Sequence, residues 1–581
     1  MAALPLIEAL LRSTAGVGVP GAGPLVQHLT LWVAFLGAAL AAREGRLLTL
    51  ATGELMPRDG WGRWARPFAA GVAVLVTLLL ARAGLDLVLI ERQAGGTFAA
   101  GIPTWIAQLV MPLALTVIAL RLAWRAGDGW RERLGPWLLM PVALWLGHRP
   151  ELLEGGPAWP WLLLVVAATV LGGPIFAALG GAAVFLFLAD GVPIAAIPAE
   201  TYRLTVSPTL PAIPLFTLAG FVLAEGGASG RLVAVFRALF GWIPGGSAIV
   251  AAVVCAFFTV FTGGSGVTIL ALGALLYGAL EADGYPERFS LGLLTASGSL
   301  GLLFPPALPL ILYGIVAQVP IRDLFLGGLL PGALLVALVA AWGAREGWRT
   351  GAGRHAFTAR AAAEALWAAK WELALPLLVL VAIFGGFATL VEASALAAAY
   401  ALVIQVLVYR DLRPVADLPR VFHRCTVLLG GVLIILGVAM GLTSYLVDAQ
   451  VPARLVEWGQ STIESRLLFL LGLNAFLLVV GCLMDIFSAT VVVVPLIVPL
   501  GVAFGIDPIH LGIIFIANLE LGYLTPPVGL NLFLASYRFE KPLLEVWRSV
   551  VPPLLILAIG VLLITYLPGL TLALVRAAGG P

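Results

Sequence analysis

Charged residues are scarce in this chain of 581 residues. Asp, Glu, Lys and Arg together make up 11% of the sequence, hydrophobic residues make up 61%, and the mean hydropathy is +1.05. A soluble globular domain carries about 25% charged residues, so the composition excludes that class. The formal net charge is +2 and the charges cluster between apolar runs, which excludes a nucleic-acid-binding surface. We therefore predict an all-α polytopic protein embedded in the lipid bilayer.

Several familiar sequence signatures are missing as well. The chain contains no HExxH, GxGD or P-loop pattern, so it supports neither a metalloprotease, nor an aspartyl protease, nor an ATP-driven pump. Its three cysteines lie in apolar runs without CxxC spacing, which is typical of small buried hydrophobic residues. No cleavable signal peptide is predicted, because the first 14 residues lack a basic segment. Membrane insertion is expected to rely on the spans themselves.

A duplicated motif is the most specific feature that the sequence contains. Its two copies occupy residues 284–306 and 505–527, so they lie 221 residues apart (505 − 284 = 221). The aligned pairs are Gly301 with Gly522, Pro305 with Pro526, and Pro306 with Pro527. Each copy is an apolar helix interrupted by Pro-Pro. Interrupted helices at matching positions of two halves are typical of the binding sites of transporters.

Apolar segments of helical length predict the first membrane spans. They lie at residues 27–43, 67–90 and 101–124, and a short apolar helix follows at 136–147. The basic stretches that flank these spans are expected on the cytoplasmic side of the membrane. The Gly/Pro-rich stretch at 150–160 predicts a domain junction.

Two halves with the same order of spans are predicted after that junction. The first has spans near 157–172, 174–190, 210–228 and 324–342 and a broken helix at 288–318; the second has spans near 374–388, 391–408, 424–446 and 549–568 and a broken helix at 508–537. Short apolar arms precede each broken helix, at 246–262 with 267–281 and at 466–483 with 489–503. Arms of that length predict re-entrant hairpins. Five crossings per half, an odd number, would invert the second half relative to the first.

Oxygen-bearing residues concentrate at the hairpin tips and the helix breaks. The first tip reads TGGSGVT at 262–268, and the first break reads TASGSLG at 295–301. The second half offers Asp485, Ser488 and Thr490 at its tip, with Asn518, Glu520, Gly522 and Thr525 at its break. Carbonyls and hydroxyls at a helix break satisfy a hard cation such as Na⁺, while half-helix N-termini attract an anion. The pattern therefore predicts ion sites at both hairpins.

Structural roles remain open for the same residues. Small residues let membrane helices pack closely, which is an equally good explanation of any single Gly or Ser. Close packing does not explain Pro-Pro at matching positions of both halves. Asp485 and Glu520 are individually stronger candidates for function, because a carboxylate inside a membrane is costly. Either carboxylate is also suited to cap a helix or to pair with another group.

A protease is an alternative from a different class of function. Residues 263–266 spell GxSG, the pattern around the serine of rhomboid-type intramembrane proteases. A serine nucleophile needs a base within hydrogen-bond reach. The histidines lie at span ends or in loops, except His510, which begins a helix after Asp507-Pro508. Catalysis is therefore not expected, and the chain is predicted not to be an enzyme.

Segments of both parts of the chain resemble one known family. PLFTLAG at 214–220, FTGGSGVTILALG at 261–273, the run 284–314, VEASALAAAYAL at 391–402 and the run 484–536 are similar to the large membrane subunit of the tripartite ATP-independent periplasmic (TRAP) transporters. LWVAFLGAALAAREGRLLTL at 31–50 and GIPTWIAQLVMPLAL at 101–115 are similar to the small one. The resemblance covers nearly the whole chain. It implies a small-subunit-like scaffold domain at 1–134, a connecting helix and junction at 135–156, and a large-subunit-like transport domain at 157–581 with inverted repeats at about 157–342 and 374–568.

This resemblance implies an elevator-type symporter in the bacterial inner membrane. Its coupling ion would be Na⁺, its substrate an organic carboxylate, and its partner a separate extracytoplasmic solute-binding protein. The residues implied to bind Na⁺ are Gly264, Ser265, Thr268, Ser297, Gly298, Ser299, Asp485, Ser488, Thr490, Glu520, Gly522 and Thr525. The residues implied to bind substrate are Ser265, Pro305, Pro306, Asp485, Pro526 and Pro527.

Two departures from the family pattern accompany the resemblance. Val391 takes the place of a threonine that often precedes Glu392 and Ala393, so the threonine hydroxyl is absent there. By the resemblance, the small-subunit region is expected to lack most of its first helix. A late start codon and a trimmed scaffold are both consistent with that gap.

The rival prediction within transport is a stand-alone Na⁺/dicarboxylate-type symporter that works without a binding protein. The N-terminal third argues against it, since such carriers do not need an added small-subunit-like block of helices. A channel or a pure scaffold is a further alternative. A pore needs a continuous polar lining, whereas this sequence predicts two discrete oxygen-rich breaks.

Overall fold

The chain is built almost entirely of helices. The computed structural model describes residues 1–49, 62–127, 129–352, 356–526 and 529–579. Across these ranges the only β-structure is a pair of isolated bridges, Thr49 with Pro174 and Thr97 with Pro103. Ten of the described helices are long and apolar enough to cross a membrane, or up to twelve if each of two bent helix pairs counts as one span. The prediction of an all-α, multi-pass membrane protein is therefore confirmed.

Contacts between residues divide the chain into two compact units. The first unit comprises Ala3–Pro214 with Phe422–Leu455, and the second comprises Leu215–Val421 with Val456–Pro581. Each unit is therefore discontinuous along the chain. Every boundary between them falls inside a helix, because residues 214, 421 and 455 belong to the tenth, twentieth and twenty-first α-helices.

The first unit gathers the N-terminal helices and one long helix from the second half. Its helices are α1 (Ala3–Ala15), α2 (Ala22–Glu44), α3 (Gly62–Ala94), α4 (Thr104–Gln108), α5 (Val110–Trp124), α6 (Trp130–His148), α7 (Trp159–Val170), α8 (Ile175–Ala189), α9 (Ala196–Thr205), most of α20 (Leu418–Asp448) and the start of α21 (Val451–Thr462). Glycines permit the close crossing of α2 and α20, since a methyl group added at Gly37 would lie 3.1 Å from the Cα atom of Gly430. The His28 ring lies 2.9 Å from the Tyr202 hydroxyl, which joins α2 to α9.

The second unit contains both hairpins and both broken helices. Its helices are most of α10 (Ala212–Glu225), α11 (Ala228–Phe240), α12 (Gly246–Thr262), α13 (Ser265–Ala282), α14 (Glu287–Ser297), α15 (Leu308–Ala317), α16 (Ile321–Thr350), α17 (Ala359–Ala368), α18 (Lys370–Phe384), α19 (Leu390–Val403), the remainder of α21, α22 (Arg466–Leu483), α23 (Ile486–Ala503), α24 (Pro508–Gly522), α25 (Leu530–Phe539), α26 (Leu543–Tyr566) and α27 (Pro568–Ala577). A π-helical turn at Ile404–Val408 extends α19. Two pairs are sharply bent, α10 with α11 by 75° and α17 with α18 by 65°.

An ion-pair network around the buried Glu372 carboxylate connects the two halves inside the second unit. The Arg231 guanidinium on α11 lies 2.6 Å from Oε1 of Glu372 and 2.6 Å from Oδ2 of Asp411. It also lies 3.7 Å above the centre of the Tyr409 ring. The Glu372 side chain is buried, so the arginine compensates a charge that would otherwise be costly inside the unit.

Glu392 has a structural partner despite the missing threonine next to it. Thr389 is the N-cap of α19, and its hydroxyl accepts a hydrogen bond from the Glu392 backbone N–H at 3.3 Å. The Glu392 carboxylate accepts one in return from the Thr389 N–H at 2.7 Å. This reciprocal capping box places the N-cap two residues before Val391 and starts the helix at Leu390. A threonine hydroxyl is therefore present at this helix end, at a different position.

Candidate transport site

The first hairpin turns at two consecutive glycines. Gly263 ends α12 with φ of 65°, a left-handed conformation that glycine adopts without strain. Gly264 is extended and serves as the N-cap of α13. A methyl group added at Gly263 would lie 2.5 Å from Cδ1 of Leu308, the first residue of α15. The tip therefore packs directly against the broken helix of the same half.

An oxygen cluster lies between this hairpin and the first break. The Thr259 hydroxyl is 2.7 Å from the Thr268 hydroxyl, 2.9 Å from the Gly298 carbonyl oxygen and 2.8 Å from the Cys255 carbonyl oxygen. Thr262 adds a hydroxyl 3.3 Å from that of Thr268. One hydroxyl proton cannot satisfy several acceptors at once. The cluster is consequently rich in oxygen lone pairs, which is the environment that a hard cation requires.

Two serine hydroxyls of the predicted site are buried without a partner. Ser265 begins α13 and Ser297 ends α14, and among the described residues neither Oγ atom has a hydrogen-bond partner. The two helix ends are close, since a methyl group added at Gly298 would lie 3.5 Å from the Ser265 carbonyl oxygen. Ser299 is engaged only weakly, with its hydroxyl 3.5 Å from the Ala296 carbonyl. Unpaired buried hydroxyls cost free energy, so this pair is suited to bind a ligand.

The second hairpin turns at Met484 and Asp485. The Asp485 carboxylate caps α23, because Oδ1 accepts the backbone N–H groups of Phe487 at 3.0 Å and Ser488 at 3.1 Å. Its Oδ2 accepts the Ser488 hydroxyl at 2.5 Å. The Thr490 hydroxyl donates to the Ile486 carbonyl one turn before it, at 2.6 Å. The sequence left a helix-capping role open for Asp485. The structure shows that Asp485 has this role.

The second break is held against that tip through backbone contacts. A methyl group added at Gly522 would lie 2.5 Å from the Cα atom of Gly481 on α22. Beyond it, the Tyr523 hydroxyl accepts the Ile486 N–H at 2.6 Å. The Gly529 N–H donates to the Cys482 carbonyl at 3.1 Å. Tip and break therefore form one tightly packed assembly.

Glu520 differs from every other carboxylate at the hairpins. It lies on the last turns of α24 with 2% of its surface exposed. Neither of its carboxyl oxygens has a hydrogen-bond partner among the described residues. Asn518, two residues earlier, instead donates to the Asn474 side chain at 2.6 Å. Glu520 thus carries two unsatisfied acceptors at the interior of the second unit.

The helix bounds of the two halves keep the spacing of the duplicated motif. The offset of 221 relates the ends of α12 and α22 (262 and 483), the starts of α13 and α23 (265 and 486), the ends of α13 and α23 (282 and 503), and the starts of α14 and α24 (287 and 508). Gly301 and Gly522 also contact equivalent residues of the hairpin arms. A methyl group at Gly301 would lie 2.8 Å from the Val260 nitrogen, and Val260 aligns with Gly481 (260 + 221 = 481), the residue that Gly522 approaches. The aligned glycines therefore allow the same close packing of break against arm in both halves.

Contacts across the halves bring the first break to the start of α25. The Asn531 side chain donates to the Thr295 carbonyl at 3.2 Å. A methyl group at Gly266, in the first turn of α13, would lie 2.7 Å from Cδ1 of Leu534. The two sets of predicted residues thus belong to one packed body, the second unit.

The predicted residues fall into four groups in the structure. Gly264, Ser265, Thr268, Ser297, Gly298 and Ser299 surround the first tip and break, while Asp485, Ser488, Glu520 and Gly522 surround the second. The Thr490 hydroxyl donates to a carbonyl of its own helix at 2.6 Å, and the Thr525 hydroxyl, just beyond α24, donates to the Leu521 carbonyl of that helix at 3.0 Å. Pro305 and Pro306 are buried between α14 and α15, Pro526 is half-buried, and Pro527 lies outside the described residues.

Three contributors were not predicted from the sequence. Thr259 lies within an apolar run one turn before the first tip, where its type gives no signal. Tyr523 follows Gly522 in the duplicated motif, and Asn531 begins the helix after the second Pro-Pro. For Tyr523 and Asn531, a polar side chain next to the break was a feature from which a role could have been predicted.

Family models match both parts of the chain. Residues 161–570 match the "Tripartite ATP-independent periplasmic transporter, DctM component", and residues 1–132 match the "Tripartite ATP-independent periplasmic transporters, DctQ component". Together the two matches leave only short segments of the chain uncovered.

Several curated relatives align with the same region. The isethionate TRAP transporter permease protein DctMQ of Oleidesulfovibrio alaskensis is 35% identical over 411 residues, which are 69% of this chain and 64% of that protein. The C4-dicarboxylate TRAP transporter large permease protein DctM of Pseudomonas aeruginosa is 34% identical over 397 residues, 68% of this chain and 92% of that protein. The ectoine/5-hydroxyectoine TRAP transporter large permease protein UehC of Ruegeria pomeroyi is 30% identical over 363 residues, 61% of this chain and 82% of that protein.

The crystal structure of the Alcanivorax borkumensis YdaH transporter has a TM-score of 0.48 and 17% sequence identity to this chain. The alignment covers 64% of this chain and 86% of that one.

Proposed function

Because the chain belongs to the tripartite ATP-independent periplasmic transporter family and joins a DctQ and a DctM component in one polypeptide, we propose that it performs Na⁺-coupled uptake of an organic carboxylate across the bacterial inner membrane. The family consists of transport permeases, so the chain is a transporter and not an enzyme. In this proposal a separate extracytoplasmic solute-binding protein delivers the substrate. An elevator mechanism then carries the substrate across.

The observation that carries the proposal is the oxygen cluster with its unpartnered serines. Na⁺ is satisfied by carbonyl and hydroxyl oxygens at a helix break, and the first tip supplies both. Thr268 and the Gly298 carbonyl lie around the Thr259 hydroxyl, and Ser265 and Ser297 add two buried hydroxyls without partners. These residues fit a bound Na⁺. The ion would supply the charge that links solute uptake to the Na⁺ gradient.

The second hairpin supports a second cation site of different chemistry. Here two carboxylates are available, and Glu520 still has both oxygens free to accept among the described residues. The Asp485 carboxylate is partly occupied by the first turn of α23. We assign Asp485, Ser488, Thr490, Glu520, Gly522 and Thr525 to this site, as the family resemblance implies.

The relatives support an organic acid as the solute. Their names specify C4-dicarboxylates, isethionate and ectoine, all of which carry at least one carboxylate or sulfonate group. Helix N-termini at the hairpin tips provide N–H groups and partial positive charge for such a group. We place the substrate between the two tips and the two breaks, near Pro305, Pro306 and Pro526.

The packing of the second unit supports movement of the whole site as one body. The bond from Asn531 to Thr295 and the contact of Gly266 with Leu534 join the first hairpin and break to the second half. The Arg231 network joins α11 of the first half to Glu372 on α18 and to Asp411 beyond α19. A site held together in this way suits an elevator mechanism, in which the ions and the solute travel with the protein.

The Na⁺ assignment is tested by removing one ligand from each site. In proteoliposomes supplied with the cognate solute-binding protein, we expect the double variant Ser265→Ala with Asp485→Ala to lose Na⁺ stimulation of uptake, from about 5- to 150-fold in the wild type to none. The physical reason is the loss of one hydroxyl and one carboxylate from the two oxygen clusters. Asp485→Asn serves as the control for folding, because asparagine caps a helix as well as aspartate does. Undiminished Na⁺ stimulation in the double variant would overturn the site assignment.

A further inference from the structure

A cavity of about 310 Å³ lies in the first unit, at the C-terminal ends of α3, α6 and α8. Its volume falls within the range of pockets that bind small molecules. Every described residue that lines it belongs to the first unit, whereas both hairpins belong to the second. The cavity is therefore not part of the candidate transport site. Most of its wall is apolar and is formed by Leu79, Ile90, Leu188, Val192 and Ile194.

Three carboxylates supply the charge at this cavity. Asp86, Glu151 and Glu154 line it, and no lysine or arginine does so among the described residues. Asp86 pairs with Arg82 one turn earlier on α3, at 3.0 Å. Glu151 and Glu154 form no ion pair with any described residue. Because a cleft lined by charges of one sign concentrates the opposite charge, this cavity attracts a cationic group.

The segment that carries the two unpaired carboxylates is fixed to the end of α8. The Gly155 N–H donates to the Ala189 carbonyl at 2.8 Å. A methyl group added at Gly191 would lie 2.7 Å from Oε1 of Glu154. Glu154 is therefore held at the cavity wall by packed backbone.

The cavity lies toward the extracytoplasmic ends of its helices. α3 and α6 run side by side in the same direction, since a methyl group at Gly71 would meet Leu139 and one at Gly147 would meet Arg82. Basic residues at span ends mark the cytoplasmic side of a membrane protein. We therefore expect the C-terminal ends of α3 and α6 to face the outside, because both helices carry basic residues near their start, at Arg66, Arg131 and Arg133.

The surface around the cavity has the character of a lipid-exposed surface. Ile90 and Val192 line the cavity and are also exposed, as is Leu152 next to Glu151. Trp145 near the end of α6 and Trp159 at the start of α7 are exposed as well. Tryptophans at span ends lie at the depth of the lipid headgroups. The carboxylates and the apolar wall thus lie where a phospholipid presents its headgroup and the start of its acyl chains.

We propose that this cavity binds a phospholipid with a primary ammonium headgroup, namely phosphatidylethanolamine. The ammonium group carries one positive charge and three N–H donors, and it donates to the carboxylates of Glu151 and Glu154. The start of the acyl chains lies along the apolar wall at Ile90 and Val192. A choline headgroup has the same charge and no N–H donor, so it forms none of these hydrogen bonds. The lipid joins the ends of α3, α6 and α8 and is separate from the solute and the ions.

Native mass spectrometry of the full chain in detergent tests which lipids it retains. The protein is incubated with phosphatidylethanolamine, phosphatidylcholine and phosphatidylglycerol that have identical acyl chains. We expect the wild type to bind phosphatidylethanolamine about fivefold more tightly than phosphatidylcholine. The double variant Glu151→Gln with Glu154→Gln is expected to bind the two lipids about equally, because an amide carries no charge to attract the ammonium group.

A second pair of glutamates provides the matched control. Glu457→Gln with Glu464→Gln removes the same charge, and neither residue lines the cavity. We expect this variant to keep the lipid preference of the wild type. All four glutamates are exposed, so the substitutions are expected to leave the fold intact.

Equal retention of phosphatidylethanolamine and phosphatidylcholine by the wild type would overturn the inference. An undiminished preference in the Glu151/Glu154 double variant would overturn it as well. The other occupant that the carboxylates suit is a basic surface of a partner protein. If the double variant retains lipids as the wild type does but binds the solute-binding protein more weakly, the cavity is a protein contact and the lipid assignment is wrong.

Discussion

Replacing Glu520 by leucine is expected to preserve or raise the stability of the protein while reducing Na⁺-driven uptake by about 100-fold or more. Glu520 is buried, and both of its carboxyl oxygens lack a partner among the described residues. An unsatisfied buried polar atom costs about 1–3 kcal/mol, and an apolar side chain of similar size removes that cost. Glu520 therefore destabilises the folded protein, and a bound cation would offset that cost.

Thermal unfolding in detergent and uptake in proteoliposomes measure the two effects separately. Glu520→Gln is the matched variant, because it keeps the shape of the side chain and removes its ability to carry charge. We expect both variants to lose Na⁺ stimulation and only the leucine variant to gain stability. A leucine variant that unfolds well below the wild type would show that Glu520 has a structural role. Unchanged uptake would place it outside the transport site.

Replacing either aligned glycine by alanine is expected to destabilise the second unit by about 1–3 kcal/mol, and valine by more. A methyl group at Gly522 would lie 2.5 Å from the Gly481 Cα atom, and one at Gly301 would lie 2.7 Å from the Thr259 Cβ atom. Both contacts involve the arm that leads to a hairpin tip. The breaks and the tips would have to separate, which would also disturb the oxygen cluster at Thr259.

Gly472→Ala is the matched control for this prediction. Gly472 lies on α22, the same arm that Gly522 contacts, and a methyl group there would meet nothing within 4 Å. We expect its unfolding temperature to match that of the wild type, with a free-energy change below about 1 kcal/mol. Equal stability of Gly522→Ala and Gly472→Ala would contradict the close approach of break and hairpin.

Apolar length made the spans and hairpin arms predictable. The arms predicted at 246–262 and 466–483 correspond to α12 and α22, because an uninterrupted apolar run bounded by glycine or a polar residue has one stable conformation in a membrane. The helices α11, α17 and α21 were not predicted. They carry polar residues along one side, so no continuous apolar run marks them. The two discontinuous units were not predicted either, since they depend on contacts between distant segments.

The chemistry of the site was predictable only in part. The duplication placed oxygen-bearing residues at both tips and both breaks, and the structure brings most of them together within the second unit. Residue type and spacing alone do not distinguish the capping role of Asp485 from the unpartnered state of Glu520 among the described residues. That difference depends on which N–H groups reach each carboxylate. Thr259 was not predicted, because its role depends on hydrogen bonds to distant residues that the sequence does not show.

Uptake of labelled succinate, pyruvate, gluconate and isethionate into proteoliposomes tests whether this chain is a Na⁺-coupled permease that depends on a solute-binding protein. The assay has four arms, with and without a Na⁺ gradient and with and without the cognate solute-binding protein. We expect accumulation of at least one acid only when both the gradient and the binding protein are present. Accumulation with Na⁺ alone would contradict the tripartite mechanism and favour a stand-alone symporter. Accumulation without a Na⁺ gradient would contradict the assignment of Na⁺ as the coupling ion.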